Sequence, residues 1–133
     1  MNDALRALVW RRAENRCEYC RMPQPFDPLP FGVDHIRPHY HHGPTTADNL
    51  CLCCFHCNTF KSVNIAGYDP ETNQIAKLFD PRHDVWSEHF ELRDGRITGN
   101  SAIGRTTADV LRFNLPERVE HRCLLGELGA FEP

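Results

Sequence analysis

Apolar residues near the start recur at helical spacing, so Leu5, Leu8, Val9 and Ala13 share one face of a short amphipathic helix over Asp3 to Asn15. Arginines occupy the other face, and Asp3 is placed to cap the N-terminus. Prolines at 23, 25, 28 and 30 then forbid helix and sheet interior alike, which predicts an extended connection from Arg21 to Pro30. Phe31 to Ile36 resumes as a β-strand that Pro38 ends. The polar run His39 to Asp48, with a turn at Gly43-Pro44, is the loop of a wide hairpin whose returning strand is Asn49 to Cys53. A helix follows from near Cys54 to about Val63, before Gly67 and Pro70 interrupt it.

The second half predicts shorter elements. Gln74 to Phe79, Val85 to Leu92 and Arg96 to Thr98 are strand candidates, and Asp94-Gly95 is a turn that closes a hairpin between the last two. Thr106 to Asn114 reads as a helix with Thr106 and Asp109 as its capping pair. Pro116 opens a final helix with Val119, Cys123 and Leu124 toward the core. Strands and helices are intermixed without βαβ order, which is an α+β fold. With 133 residues the chain suits one domain with one modest core, spanning 1–133, its centre at about 11–64 and an extension at about 65–133.

No segment approaches the roughly 18 apolar residues of a membrane span, so no membrane partner is expected. The N-terminal segment is too polar for a signal peptide, and the cytoplasm is the expected compartment. A net charge of −3 argues against a protein that coats nucleic acid nonspecifically. It leaves room for a local basic face, because Arg6, Arg11, Arg12, Arg16, Arg21, Arg37 and Lys61 outnumber the acids before Ser62.

Seven cysteines, an odd number with Cys-x-x-Cys spacing, suit metal ligation better than a disulfide framework. Cys17 and Cys20 with Cys54 and Cys57 give four thiolates for one tetrahedral zinc, which would clamp the base of the hairpin. Cys51-x-x-Cys54 has the same spacing, so Cys51 is the alternative to Cys57. Cys51 and Cys53 fall within the expected strand and suit a buried face, which favours Cys57. His56 is a further alternative ligand.

The segments RAENRCEYC, VDHIRPHYHHG, DNL and CCFHCNTFK, in this order, resemble the HNH endonucleases over roughly residues 11 to 62. The tail LFDPRHDVWSEHF and ITGNSAIGRTTADVLRFN resembles that of small stand-alone bacterial members with a four-cysteine zinc site. The resemblance implies a ββα-metal (His-Me) finger with one catalytic divalent ion. It implies His35 as general base, Asp34 and Asn58 as ligands of that ion, and Asn49 as the residue that orients the base and fixes the loop. Many members carry histidine where Asn58 stands. Oxygen donors from Asp34 and Asn58 favour Mg²⁺ or Mn²⁺. Arg37 and Lys61 are the expected phosphate contacts. The implied partner is DNA, with RNA as the alternative, and a homodimer where one active site must cut both strands.

Adjacent strand residues point to opposite faces, so Asp34 and His35 can serve one site only at a bulge or at a strand end. His39, His41 and His42 read as solvated loop histidines, His89 as a surface histidine, and Cys123 as a buried helix residue. Two competing functions follow from the same residues. One is a zinc-stabilised binding module for nucleic acid or protein with no catalysis. The other is thiol-disulfide exchange at the Cys-x-x-Cys pairs, disfavoured because no thioredoxin-like βαβ order surrounds them.

Overall fold

The computed structural model describes residues 1–132 and has an α+β architecture in which three two-stranded antiparallel sheets lie among helices. In chain order the elements are α1 (Asp3–Ala13), β1 (Gly32–His35), β2 (Leu50–Cys53), α2 (Phe55–Lys61), β3 (Ala66–Tyr68), β4 (Ile75–Lys77), α3 (Trp86–His89), β5 (Phe90–Arg93), β6 (Arg96–Gly99), α4 (Ala102–Val110) and α5 (Pro116–Glu127). Packing divides them into two compact units: Met1–Ile65 with Asp80–His83, and Ala66–Phe79 with Asp84–Pro133. No helix among the described residues is long and apolar enough to cross a membrane.

In the first unit α1 is capped by Asn2, whose Oδ1 accepts the Leu5 N–H at 2.8 Å. The cap lies one residue before the expected Asp3, which instead occupies the first turn, where an acid complements the helix dipole. Glu14 and Asn15 take left-handed backbone (φ 54° and 58°), and this reversal ends the helix and turns the chain toward Cys17. Cys17 N–H to Met22 carbonyl (3.0 Å) and Arg21 N–H to Cys17 carbonyl (2.9 Å) then close a tight knuckle. The connection from Arg21 to Pro30 is not wholly extended, because Gln24–Phe26 form a turn of 3₁₀ helix with Pro25 near its start. Strands β1 and β2 pair in register, with Asp34 opposite Cys51 and His35 opposite Leu50. All four residues of β2 are buried, and α1 packs Val9 and Ala13 on the inner side.

The second unit departs further from expectation. Val85 to Leu92 is not one strand: Trp86–His89 make a helical turn and only Phe90–Arg93 are extended. Trp86 and Phe90, both buried and four residues apart, set a helical period that resembled alternation over so short a run. Their rings cluster with Phe79 and Phe113 at centroid distances of 5.0–5.7 Å. His89 is half-buried rather than a surface residue, its Nδ1 2.6 Å from Ser101 Oγ. Helix α4 begins at Ala102 under a Ser101 cap, so Thr106 lies inside the helix and is fully buried. Neither β3 nor its pairing with β4 was foreseen, because Gly67 read as a breaker and not as part of a three-residue strand.

Helix α5 turns Arg122 and Leu125 inward, whereas Leu124 is half exposed and Cys123 only half-buried. The Arg122 guanidinium explains this face, since it donates to the carbonyls of Gly95 (2.7 Å) and Phe113 (2.6 Å). Gly95 itself sits at φ +80° in the β5–β6 turn, where a side chain would also strike the Val119 carbonyl.

Candidate metal centre and active site

Cys17, Cys20, Cys54 and Cys57 bring their sulfurs within 4.8 Å of one another, and all four are buried. Cys20 and Cys54 Sγ lie 3.8 Å apart. Zinc–thiolate bonds of about 2.3 Å in a tetrahedron give edges of about 3.8 Å, so the donor set and its spacing fit a structural Zn²⁺. Cys51 lies outside the cluster, on β2 opposite Asp34, whereas Cys57 lies within it. Crowding divides the four thiols: against the effect of burial, hydrogen bonds from the neighbouring thiols hold Cys17 well below the usual thiol value, and against Cys17 those from Cys54 and Cys57 lower Cys20. Cys54 is held well above the usual thiol value by its contact with Cys17, and Cys57 by burial. A bound dication reverses that rise.

A residue the sequence reading passed over holds the knuckle to the hairpin. Glu18 is buried; its N–H donates to the Leu52 carbonyl (2.9 Å) and its Oε2 accepts the Leu52 N–H (2.8 Å). The remaining carboxylate oxygen pairs with Arg82, which belongs to the same compact unit. Only the general rarity of buried acids could have pointed to it.

The hairpin ends at the Asp-His pair. Strand β1 ends at His35 and the backbone bends at Ile36 and Arg37, although the Ile36 N–H still donates to the Asn49 carbonyl at 2.8 Å, so the pair lies at the end of the strand without a bulge. Asp34 faces Cys51 and Tyr19, and its charge pushes both groups upward after burial has done most of that work. Lys61 is 1% exposed and reaches back from α2, with Nζ 3.5 Å from Asp34 Oδ2 and donating to the His35 carbonyl at 3.2 Å. The ammonium therefore lies inside the protein, not on the exposed face expected of a phosphate contact. Asn58 stands one helical turn before Lys61 and is exposed.

Asn49 staples the loop. Its Oδ1 accepts the Arg37 N–H (2.9 Å), and its Nδ2 donates to the Arg37 (3.0 Å) and Pro44 (2.8 Å) carbonyls. Gly43 is required beside it, because a Cβ there would lie 1.6 Å from the Arg37 carbonyl oxygen. Arg37 is exposed and lays its guanidinium on the His42 carbonyl at 3.0 Å. On the far side of the strand end, His35 Nε2 is 2.8 Å from Thr45 Oγ1, and its ring lies 4.2 Å from that of His39. Burial, then the neighbouring His39, holds His35 below the ordinary imidazole value, while Asp34 pulls the other way. Thus Asp34 meets Lys61 beside the strand end, and His35 meets Thr45 and His39.

Comparison with known proteins places this geometry. Residues 17–63 match the family model described as HNH endonuclease. Over 125 residues the chain is 25% identical to the Septu protein PtuB of Bacillus thuringiensis, covering 92% of this chain and 46% of that protein. The chain thus spans about half the length of that curated relative. No solved structure matches it. The matched residues contain the knuckle, the stapled hairpin and helix α2 in full, so the part of this chain that is similar to the HNH endonucleases is residues 17–63.

Proposed function

We propose that this domain is the catalytic core of a divalent-metal-dependent endonuclease that hydrolyses DNA phosphodiester bonds. The observation that carries the reading is the strand end at Asp34-His35, held by three Asn49 hydrogen bonds inside the HNH segment. His35 takes a proton from the attacking water, a task suited to an imidazole that stays neutral at cellular pH. Asn49 fixes the backbone on which that base is mounted.

Asp34 and Asn58 are the oxygen donors for Mg²⁺ or Mn²⁺. Asp34 Oδ2 fits that role as a buried oxygen with no hydrogen-bond partner. An ion bound there supplies Lewis-acid polarisation of the phosphate and stabilises the leaving 3′ oxygen. Arg37, exposed beside the loop, steadies phosphate, and Lys61 acts from within by holding Asp34 in position. A cut through both strands calls for two copies of the chain, and RNA is the competing substrate. Purified protein is expected to nick plasmid with Mg²⁺ or Mn²⁺, and His35→Ala to abolish nicking while retaining fold and zinc. Equal cleavage by the two proteins removes the assignment.

The Lys61–Asp34 pair favours one rival. An ammonium on the carboxylate does the electrostatic work of a cation, as suits a zinc-stabilised module that binds nucleic acid or protein without cutting. Nucleic-acid binding that persists in chelator, with no cleavage under any divalent ion, selects that reading.

A further inference from the structure

One hydroxyl in the β1–β2 loop faces two imidazoles. Thr45 Oγ1 is 2.8 Å from His35 Nε2 and 3.5 Å from His39 Nε2, and the two rings stand 4.2 Å apart at an interplanar angle of 47°. A threonine hydroxyl has one proton to give and two lone pairs to offer, so it cannot donate to both rings. We propose that Thr45 is a positioning residue for His35: its hydroxyl accepts the Nε2–H of His35 and donates its own proton to Nε2 of His39.

The inference rests on the reading of His35 as general base, and that reading fixes the direction of the chain. If Thr45 donated to His35, the neutral ring would carry hydrogen on Nδ1 and have its Nε2 lone pair engaged. No lone pair would remain for a proton from water. With the direction reversed, Nδ1 of His35 is a free acceptor and Nε2–H is tethered, so one hydrogen bond sets both the tautomer and the ring plane. The hydroxyl proton then points to His39, which must carry its hydrogen on Nδ1, the minority tautomer of an unconstrained histidine side chain. His39, exposed at the loop surface, thus has a defined role: it takes the hydroxyl proton and packs its ring beside the base.

The test is a tautomer measurement on the full chain with ¹⁵N-labelled histidine, at about pH 8 where imidazoles are neutral. Wild type is expected to show His39 as Nδ1–H and His35 as Nε2–H. Thr45→Val keeps the branched shape without the hydroxyl; it should return His39 to Nε2–H and lower kcat for plasmid nicking about tenfold or more with KM little changed. Thr45→Ser should retain both properties. A wild-type His39 in the Nε2–H form, or full nicking by Thr45→Val, overturns the proposal. The spectra are read without cleavage, so they judge the hydrogen-bond order separately from His35→Ala, whose wild-type activity would remove the base itself.

Discussion

Lys61 is the residue whose placement matters most to the chemistry. A fully buried ammonium needs a counter-charge, and Asp34 is its carboxylate partner at 3.5 Å. The same carboxylate is the proposed metal ligand, so the two cations compete for it. Lys61→Met should leave Asp34 uncompensated and lower the melting temperature in metal-free buffer. Added Mn²⁺ should restore it by an amount that reaches about 2.7 kcal/mol at a hundredfold excess over Kd. Wild type should respond less to the same addition. Melting curves of both proteins across Mn²⁺ concentrations check this, and equal responses would deny that the two cations share Asp34. Asn49→Ala tests the loop in a different way. Three hydrogen bonds are lost and two carbonyls are left without that donor, a cost of about 1–3 kcal/mol in stability. Nicking should fall further than stability requires, because the backbone carrying His35 loosens; denaturant curves with parallel nicking assays separate the two.

Elements that carry their own punctuation were legible from sequence, and those that borrow it from partners were not. The hairpin could be read because Pro38, Gly43 and the apolar β2 run mark its ends, and the four-cysteine cluster because two Cys-x-x-Cys spacings admit few geometries. The caps were harder: Asn2 and Ser101 took the places given to Asp3 and Thr106, since several short polar side chains near a helix start compete for one role. Trp86–His89 were lost because one helical turn holds too few residues to show its period. At the site, sequence supplied the residue types of Asp34, His35, Asn49 and Asn58. It had no means to show that Lys61 turns inward, that Glu18 seals the knuckle, or that Thr45 and His39 meet His35. Those contacts join residues 10 to 64 positions apart in the chain, or follow from the loop that Asn49 folds. The register of the cysteines can be tested with the hairpin itself. Cys57→Ser should lose bound zinc and unfold the knuckle, whereas Cys51→Ser should retain zinc, by metal analysis after gel filtration.

Each compact unit depends on its own charged centre, and acid should separate them. The first has four clustered cysteines that must be thiolates to bind a metal, so a zinc ion held there would be released, and its unit with it, as pH falls. The second is held by Asp69, fully buried, which accepts Arg105 Nε (3.0 Å) and Nη2 (2.8 Å), the Glu71 N–H (3.0 Å) and the Thr72 hydroxyl (3.1 Å). Arg105 first, then the further hydrogen bonds, holds the Asp69 carboxyl well below the usual carboxylate value, and Arg105 is raised in turn. A depressed folded-state pKa contributes stability that is complete above the unfolded value of about 3.9 and is lost as pH falls from there toward the folded value. The expected acid titration therefore has two steps, with zinc release and loss of the first unit at higher pH and loss of the second below about pH 4. Asp69→Asn keeps much of the shape but removes the charge, so it should lower the neutral-pH stability of the second unit and flatten its dependence on acid, leaving zinc release unmoved. Tryptophan offers a local probe for each half, Trp10 on α1 and Trp86 on α3, and two fluorescence transitions that shift independently in Asp69→Asn and Cys57→Ser would establish the order. A single coincident transition in both variants would mean that the two centres stand or fall together.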